Sequence, residues 1–511
     1  MLLSNLCLVS INGYIMVVTE IPDRIADTFH GRTIFITGVT GFIGKALLEK
    51  LLRNTNVKKI YVLIRTKKGK TPQERLEDIF KNILYSKLLS QNPDAPKKCI
   101  AISGDVSEVD LGISGSDRQL IVKETDFIFH SAATTRFDDT IKYAVTVNTR
   151  GTKYMLDLAA QCTKLKLFIH VSSSYAFPNN KVTMETEYKT KSSPHEVLSS
   201  LNWMDEDGIN DKKILGDIPN SYTFSKALAE NLVYEKVGKI PLVICRPAVV
   251  IPSFQDPIPG WANNLQGPMG LFVGAGKGVI RCMYMDSKSY ANLIPVDAAV
   301  AGLLVFSWYY LNVKGAPYIF NICVPETEFK ENWETILSTA QEVIETDIPF
   351  NGILWYPGGT MTKSKTYAKI NFFLFQLIPA IFIDLILFCL GYKPILYNIQ
   401  MRINKGTEMF EFYATRAWDF ETKVIFAVRE ALNERELQTY FVKADNINLK
   451  KYFTEALLTC RRHILKETDD MLPAARRNMK IMFILDRFVK ITFFVILGYF
   501  LYKWSFSLFG Q

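Results

Sequence analysis

The sequence predicts an α/β protein with a doubly wound parallel sheet, a C-terminal mainly helical domain and a membrane-associated C-terminal segment. Short β-branched runs alternate with helical stretches over the first half of the chain, and several of these runs are apolar throughout, as strands buried on both faces require. Beyond about Pro325 the alternation stops, and Trp333, the sequence WYPGG at 355–359 and a dense apolar segment follow. We therefore expect an alternating part followed by a helical part.

With 511 residues, the chain is too long for one ordinary core. We expect an N-terminal extension over 1–30, a nucleotide-binding domain with substrate-binding insertions over 31–350, a helical domain over 351–470 and a membrane-anchoring tail over 471–511. The 60 Lys and Arg residues against 51 Asp and Glu give a net charge of +9. Such a balance suits phosphates, CoA or anionic lipid and does not by itself suggest nucleic acid.

The first 18 residues are apolar but lack a basic n-region and a small-residue cleavage site, so we expect a short extension, with Met16 as an alternative start. Eight cysteines are scattered without a C-x-x-C pair, which predicts reduced thiols in a chain facing the cytosol. Because no His, Cys or carboxylate cluster has metal-ligand spacing, we predict no metal.

The alternating part contains six buried-strand patterns and three helical crossovers. The predicted strands are TIFITG at 33–38, KIYVLIR at 59–65, CIAISGD at 99–105, FIFHSAA at 127–133, LFIHVSS at 167–173 and LVICRPA at 242–248. The predicted helices run from about Ile43 to Asn54, around Asn148–Cys162, and from about Tyr222 to Gly238. This rhythm is typical of βαβ units.

The sequence TGVTGFIG at 37–44 joins the first strand to the first helix. Gly38 permits a tight turn, Gly41 lets backbone N–H groups approach a pyrophosphate, and Gly44 allows the helix to pack closely. A lone glycine pattern is weak evidence. Here the preceding strand, the following helix and the position at the head of a βαβ unit favour a Rossmann-type dinucleotide site over an ordinary loop.

About twenty residues further on, the second strand ends in Arg65, where an NAD enzyme presents an acidic residue to the ribose. A guanidinium there matches the 2′-phosphate of NADP in charge and geometry, so NADPH is the predicted cofactor. The alternative is a solvated basic loop. Asp105 and Val106 follow a later strand, where the carboxylate could accept from the adenine amino group.

The sequence YTFSK at 222–226 places a phenol and an ammonium on one face of a helix. Tyr222 can donate a proton to a carbonyl oxygen if Lys226 lowers its pKa, and Lys226 can also hold a ribose. This spacing often occurs by chance. A hydroxyl after the strand that ends near Val171 strengthens the case for a catalytic Tyr-Lys pair. Ser173 is the first choice for that hydroxyl, with Ser172 second.

Three further polar residues have a structural alternative at least as strong as a functional one. Asn148 could order a helix or a proton-relay water, or be a plain structural residue. His130 and His170 lie in or beside strands, where satisfied core histidines are the better interpretation.

Two segments could meet a bilayer. The run at 372–390 approaches the length of a span but carries Gln376, Pro379 and Asp384, so a helix pair broken at Pro379 and membrane contact are equally supported. The run at 491–509 is almost wholly apolar and contains Lys503, which favours a C-terminal anchor over a core helix.

The motifs TGVTGFIGK, HSAATTRFDD, VNTRGT, YTFSK and RPAVV together resemble an extended short-chain dehydrogenase. PIPGWANNLQGPMG (257–270), GKGVIRCM (276–283), IPVDAAV (294–300) and WYPGG (355–359) resemble the fatty acyl-CoA reductases of animals. The resemblance covers the chain from about Ile21 onward. It implies an NADPH-binding Rossmann domain, a helical C-terminal domain, and two hydride transfers that convert a long-chain acyl-CoA through an aldehyde to a primary alcohol. It also implies a cytosol-facing membrane, the endoplasmic reticulum first and the peroxisome as the alternative.

Carried over by position, the resemblance gives Ser173, Tyr222 and Lys226 as the catalytic group. The predicted cofactor contacts, from the glycine loop to the nicotinamide side, are Gly38, Thr40, Gly41, Phe42, Ile43, Gly44, Arg65, Asp105, Val106, Ala132 and Pro247. Two positions depart from the family pattern: Ser174 alters the neighbour of the catalytic serine, and Asn292 stands where an acidic residue is common.

Other functions remain open at this point. One is another membrane-bound dehydrogenase of the same fold, of hydroxysteroid or sugar-nucleotide type, because fold alone does not decide the substrate. Another is a noncatalytic lipid-binding scaffold, which predicts a damaged Tyr-Lys pair or phosphate loop. An insertion over 180–217 that includes Trp203 could form part of the acyl or CoA entrance, or be a surface loop.

Overall fold

The computed structural model describes residues 6–11, 14–19, 21–204, 212–265, 267–290, 292–325, 330–440 and 447–509, with backbone alone at 6–11, 14–19, 212 and 504–509. The chain divides into two compact units that interleave along the sequence. The first comprises Met1–Val250, Asn292–Phe329 and Asp419–Asp445, and the second Ile251–Ala291, Lys330–Trp418 and Asn446–Gln511. The four-part division expected from the sequence stays a prediction.

A seven-stranded parallel sheet forms the centre of the first unit. Its strands are β1 Thr33–Thr37, β2 Lys59–Ile64, β3 Cys99–Ser103, β4 Phe127–His130, β5 Leu167–Val171, β6 Leu242–Pro247 and β7 Ile319–Ile322. The spatial order is β7-β6-β5-β4-β1-β2-β3. The predicted doubly wound α/β fold is confirmed, with all six predicted strands present and β7 additional to them.

The chain reverses its winding direction between β1 and β4. These two strands are neighbours in register, with Thr37 opposite His130, and open sheets of this kind bind ligands at such a switch point. Every residue of β1, β4, β5 and β6 is buried. The side chains that follow these strands therefore project from a rigid, close-packed centre.

Helices cover the sheet and complete the first unit. They are Arg24–Phe29, Phe42–Asn54, Pro72–Phe80, Ser86–Gln91, Gly115–Glu124, Ile141–Ala144, Gly151–Ala159, Pro194–Ser199, Lys212–Leu215, Ser221–Tyr234, Val296–Asn312, Lys423–Ala431 and Glu434–Thr439. A π-helical turn, Val145–Arg150, precedes Gly151–Ala159. Short strand pairs outside the large sheet include Leu6–Ile11 with Tyr14–Thr19, antiparallel, and Val182–Thr183 with Asp419–Phe420, parallel.

The packed core of the first unit includes residues N-terminal to Gly31. In helix Arg24–Phe29, the fully buried ring of Phe29 lies 4.9 Å from that of Phe127 in β4. Arg24 forms a two-point contact with the buried Glu436 carboxylate, with Nη2 2.6 Å from Oε2 and Nε 2.9 Å from Oε1. Residues 21–30 are thereby tied to the body of the unit.

The second unit is mainly helical. Its described α-helices are Pro268–Gly276, Trp333–Thr346, Lys365–Phe372, Ile378–Cys389, Leu396–Ala414, Leu449–Thr459 and Leu472–Phe509, and its described residues also form a strand pair, Cys282–Tyr284 with Thr360–Thr362. Two further short strands, Val249–Ile251 and Leu293–Pro295, lie wholly or mainly in the first unit. In the described part of the chain, one helix is long and apolar enough to cross a membrane, Lys365–Cys389.

The WYPGG sequence holds the C-terminal helix Leu472–Phe509 within the second unit. Trp355 Nε1 donates to Asp486 Oδ1 at 2.7 Å, and Lys490 Nζ lies 2.6 Å from Asp486 Oδ2. After Lys490 the side chains of Ile491–Tyr502 are all exposed. The described part of the predicted anchor is therefore no core helix, and the anchor itself stays a prediction.

Candidate active site

The glycine loop lies at the switch point of the sheet, between β1 and helix Phe42–Asn54. Gly38 has φ +78°, and a Cβ there would lie 2.7 Å from the backbone of Ser131 and Ala132, which follow β4. A Cβ at Gly44 would lie 2.2 Å from the Gly38 carbonyl oxygen, so the helix packs against the turn as predicted. Gly41 is exposed at the N-terminus of the helix, and the positive end of the helix dipole suits a pyrophosphate there.

Hydrogen bonds from β1 hold the loop after β4 in place. Thr37 Oγ1 is 2.8 Å from His130 Nδ1 and accepts from the Ala132 N–H at 3.2 Å. His130 Nε2 is 3.0 Å from Thr152 Oγ1. Burial lowers the pKa of His130 to about 3, with the Lys226 charge acting in the same direction. His130 is thus the satisfied, neutral core histidine that the sequence predicts.

His170 differs from that expectation. It is fully buried in β5 beside His130, with ring centroids 5.6 Å apart. Neither of its ring nitrogens has a hydrogen-bond partner among the described residues. Burial lowers its pKa well below the ordinary value, with Lys226 and His130 adding to the effect. His170 is a core histidine, but not a satisfied one.

The two residues predicted to hold the adenosine end of the cofactor pair with each other. Arg65 Nη1 lies 3.0 Å from Asp105 Oδ2, and the other carboxylate oxygen accepts from the Ser107 N–H at 3.0 Å. Arg75, in helix Pro72–Phe80, donates through Nη1 to the Arg65 carbonyl oxygen. Two guanidinium groups against one carboxylate leave net positive charge where a ribose phosphate would bind.

Arg75 is a candidate that sequence reasoning missed. The available signal was a capped helix directly after β2: Thr71 and Glu74 form a capping box that fixes its first turn. Arg75 follows that turn. The side chain of a basic residue at that position reaches back to the carboxyl end of β2, the strand that precedes the helix.

The predicted catalytic residues come together at the carboxyl end of β5. Helix Ser221–Tyr234, capped by Asn220, carries Tyr222 and Lys226 on one face. The Tyr222 hydroxyl lies within reach of the Ser173 side chain. Lys226 Nζ, fully buried, donates to the Val171 carbonyl oxygen at 2.7 Å, two residues before Ser173.

The expected effect of Lys226 on Tyr222 is wrong for this structure. Burial raises the pKa of Tyr222, and only the hydrogen bond to Ser173 opposes that rise. The Lys226 ammonium bonds to the backbone of β5 instead. Burial lowers the pKa of Lys226 to about 8, and the Glu230 carboxylate opposes that shift.

A buried ion pair lies behind this group and was not predicted. Glu230, one helical turn after Lys226, forms a fully buried ion pair with Arg246 of β6. Its other carboxylate oxygen accepts from Ser172 Oγ at 2.5 Å. Ser172, the second choice for the catalytic hydroxyl, is therefore committed to Glu230, and Ser173 is the hydroxyl that contacts Tyr222.

Asn148 takes the structural role that the sequence left open. Its side chain accepts from the Thr134 N–H at 2.9 Å and donates to the Thr134 carbonyl oxygen at 3.1 Å and to Ser225 Oγ at 2.9 Å. It joins the π-helical turn to the loop after β4 and to the helix that carries Tyr222. Loop and helix are thereby fixed relative to each other.

The remaining predicted cofactor residues lie in the glycine loop, in the core and at the end of β6. Thr40, Phe42 and Ile43 are half-buried in the glycine loop and the first helical turn. Val106 belongs to the core cluster beneath β3, and Pro247 ends β6, where its carbonyl oxygen accepts from the Ser174 N–H at 3.0 Å.

Of the two departures from the family pattern, Ser174 donates to the Arg246 carbonyl oxygen at 2.6 Å. Asn292 pairs with the backbone of Val324 through both its amide nitrogen and its oxygen, at 3.1 Å each. Both residues hold the backbone near the site. In the insertion, Trp203 is 89% exposed, and residues 205–211 lie outside the described part.

Two family models, both described as male sterility protein, match residues 36–303, as an NAD-binding domain, and 375–467. Fatty acyl-CoA reductase 1 of Rattus norvegicus is 34% identical over 459 residues, which cover 89% of each chain. The chain belongs to the fatty acyl-CoA reductase family. Fatty acyl-CoA reductase wat of Drosophila melanogaster is 31% identical over 96% of each chain.

A solved structure adds support for the fold of this reductase. The terminal R domain from the myxalamid PKS-NRPS biosynthetic pathway has a TM-score of 0.59 at 18% identity, over 86% of this chain and 93% of that one. The NAD-binding family model and the sheet topology indicate a nicotinamide cofactor. Among the described residues, no group of three or more His, Cys, Asp or Glu could hold a metal ion.

Proposed function

We propose that this chain reduces long-chain fatty acyl-CoA to a primary fatty alcohol, using two NADPH and two protons and releasing CoA, through an aldehyde intermediate. The observation that carries the proposal is the convergence of Ser173, Tyr222 and Lys226 at the carboxyl end of β5 in a member of this family. An intact Tyr-Lys pair and phosphate loop argue against a noncatalytic scaffold.

The cofactor residues proposed are those predicted from the sequence, with Arg75 added. The glycine loop cannot carry a Cβ at Gly38 or Gly44 without a clash, which fits a turn built to approach a dinucleotide closely. The two guanidinium groups at the end of β2, Arg65 and Arg75, support NADPH rather than NADH. Asp105 is the counter-charge that holds Arg65 in place.

A nicotinamide cofactor held by these residues would supply hydride to the thioester carbonyl carbon. Ser173 and Tyr222 donate hydrogen bonds to the carbonyl oxygen and stabilise the negative charge that develops on it, in the manner of an oxyanion hole. Because burial keeps Tyr222 protonated, its hydroxyl is a donor throughout the neutral pH range. Collapse of the hemithioacetal then expels the CoA thiol and leaves an aldehyde.

The second reduction uses the same residues. The aldehyde oxygen occupies the position between Ser173 and Tyr222, and Tyr222 delivers the proton that completes the hydroxyl group. Lys226, held by the Val171 carbonyl oxygen, is positioned to bind the ribose hydroxyls of the cofactor. The Glu230 carboxylate fixes Ser172 and so sets the backbone from which Ser173 projects.

We also propose that the chain is a membrane protein with its catalytic part facing the cytosol. The exposed apolar side chains from Ile491 to Tyr502 support a C-terminal anchor, which places the enzyme beside its lipid substrate and product. The endoplasmic reticulum is the first choice of compartment, and the peroxisome the second.

The test is a product assay on the full chain in membranes. Saturated acyl-CoAs of increasing length are supplied with NADPH or NADH, and products are identified by gas chromatography, with Tyr222→Phe as the inactive control. Fatty alcohol formed with NADPH and not with NADH is the expected result. Aldehyde alone would contradict the second reduction, and no product would return the chain to the dehydrogenase or scaffold alternatives.

A further inference from the structure

The second unit exposes an apolar surface on a helical hairpin, residues 365–414. Helix Lys365–Phe372, a π-helical turn Phe373–Leu377 and helix Ile378–Cys389 form its first arm, and helix Leu396–Ala414 forms its return arm. The large apolar side chains that are more than 40% exposed between the base and the tip are Ile370, Phe373, Leu374, Phe375, Ile378, Ile381, Phe382, Leu385, Ile386, Phe388 and Leu390. The surface is continuous along the first arm.

The two polar residues that interrupt this apolar run are the ones that point inward. Gln376 is 4% exposed and Asp384 is 7% exposed. Gln376 Oε1 accepts from the Arg281 N–H at 3.2 Å, and Asp384 accepts from the N–H groups of residues 395, 396 and 397 at 2.8–2.9 Å. Polar groups face the protein and apolar groups face outward, which reverses the pattern of a surface helix in water.

The hairpin is closed at both ends. At the tip, Asp384 caps the return arm, so that arm begins beside the middle of helix Ile378–Cys389. At the base, Lys365 Nζ lies 2.6 Å from Glu411 Oε1, so the first arm starts where the second ends. Both ends of the hairpin therefore lie on the same side of any surface that it enters.

This closure is incompatible with a membrane crossing by the first arm. A crossing would place the start of the return arm on the far side and draw its charged residues, Arg402, Lys405 and Glu408, through the hydrocarbon. Charges at that depth are rare and costly. The return arm is also fixed to the unit part-way along, because Gln400 Nε2 donates to the Val279 carbonyl oxygen at 3.1 Å.

We propose that the hairpin inserts into a single leaflet of an anionic bilayer, as a monotopic contact that lies along the membrane surface. The ends of the exposed surface carry residues that favour the headgroup region: Tyr367 and Lys369 at the base, Tyr392, Lys393 and Tyr397 at the tip. The apolar side chains between them lie at acyl-chain depth. This contact is additional to the C-terminal anchor and does not depend on the proposed reaction.

The lysines at the two ends of the exposed surface favour lipid over a second copy of the chain as its partner. Lys369 and Lys393 match anionic headgroups, whereas two copies packed face to face would bring like charges together. The aromatic and basic rim around an apolar centre is also the composition of interfacial helices. The segment that the sequence left undecided is thus a membrane contact, unbroken at Pro379, that does not span.

Cys389 offers a native probe of this surface. Of the seven described cysteines it alone is exposed. In full-length chain with Cys7→Ser and Cys162→Ser, expressed in sealed vesicles with the catalytic side outward, we expect Cys389 to react with a membrane-impermeant maleimide at least about tenfold more slowly than a thiol on a water-exposed surface of the same chain. The matched control is Lys97→Cys with Cys389→Ser, because the Lys97 side chain is 79% exposed in the first unit.

A second probe decides between one leaflet and a crossing. Lys393→Cys in a Cys389→Ser background is expected to react from the outer side of the sealed vesicles at a rate close to that of the Lys97→Cys control. Reaction at position 393 only after the vesicles are opened would overturn the proposal in favour of a span. Reaction of Cys389 in sealed vesicles at the rate of the Lys97→Cys control would overturn it in favour of a surface in water.

Shielding by protein is excluded by a lipid-borne quencher. A bimane on Cys389, in proteoliposomes of phosphatidylcholine and phosphatidylserine, is expected to be quenched by lipids spin-labelled on the acyl chain. The same bimane on the Lys97→Cys control is expected to show no such quenching. A bimane at 389 that neither the lipid label nor aqueous iodide quenches would show that protein covers the surface, and would overturn the proposal.

Discussion

Helix Ser221–Tyr234 in the first unit and helix Ile378–Cys389 in the second depart from the usual surface pattern in opposite ways. The first buries Lys226 and Glu230, each at 4% exposure or less, and the second exposes Phe382 at 62% and Phe388 at 68%. A buried charge is costly unless it is paired, and an exposed apolar surface of this size is rare unless something covers it.

The difference matches the two kinds of ligand proposed for the two units. In the first unit the buried charges are paired, Lys226 with the Val171 carbonyl oxygen and Glu230 with Arg246, on the helix that also carries Tyr222. In the second unit the buried polar groups only shape a hairpin, and the unpaired surface is apolar. In the two proposals, one helix carries the groups that bind a small polar group, and the other carries the side chains that enter a lipid surface.

Removing the Tyr222 hydroxyl should have the largest effect on the chemical side of this comparison. Tyr222→Phe is expected to lower kcat by about 10²- to 10⁴-fold, because one oxyanion donor and proton source is lost. Cofactor affinity, measured by fluorescence titration, should not change. Tyr154→Phe, a change in the core beneath the sheet, is the matched control, and equal turnover of the two variants would contradict the role of Tyr222.

The two arginines at the end of β2 should have the next largest effect. Arg65→Ser and Arg75→Ser are each expected to raise KM for NADPH by about 10- to 100-fold, because a charged hydrogen bond to the 2′-phosphate is lost. KM for NADH should change little. Lys67→Ser, in the same loop, tests the solvated-loop alternative: a loss equal to that of Arg65→Ser would favour that alternative.

Replacing Glu230 should change the pH dependence of kcat/KM and not only its size. Lys226 has a pKa of about 8, so its ammonium is lost, and kcat/KM should fall, as the pH rises through that value. Glu230→Gln removes the charge that raises the pKa of Lys226, so this fall should begin at a lower pH. A pH-rate profile measures the shift.

The Glu230 variant needs a control for folding, because it leaves Arg246 buried without its partner. Ser172→Ala removes the contact between Ser172 and Glu230 but keeps the carboxylate. It should leave the upper limb of the pH profile in place. A shift of equal size in both variants would mean that packing, and not charge, sets the limb.

The fold and the outline of the site could be predicted because they depend on local patterns. Continuous apolar runs locate the six strands, and the glycine spacing locates the turn after β1. The serine choice also followed from position, since Ser173 is the hydroxyl that contacts Tyr222.

The residues that were missed act between positions distant in sequence. Arg246 lies 16 residues after Glu230 and reaches it only because β6 is the neighbour of β5. The predicted direction of the Tyr222 pKa shift was wrong, because the shift depends on burial, which sequence spacing does not reveal. At Pro379 the sequence indicated a possible break, but the proline lies in the first turn of Ile378–Cys389, where a missing N–H is tolerated.

The contact between Trp355 and Asp486 also limits how far the C-terminal helix can extend beyond the second unit. From Asp486 to Phe509 the C-terminal helix rises about 35 Å, at ~1.5 Å per residue, against a hydrocarbon thickness of ~30 Å. If that helix is the proposed anchor, its rise from Asp486 exceeds the hydrocarbon thickness by only about 5 Å, which is less than one helical turn. The second unit then has no flexible stalk beneath it, and a short deletion after Lys490 should pull the anchor out of register with the membrane rather than simply shorten a linker.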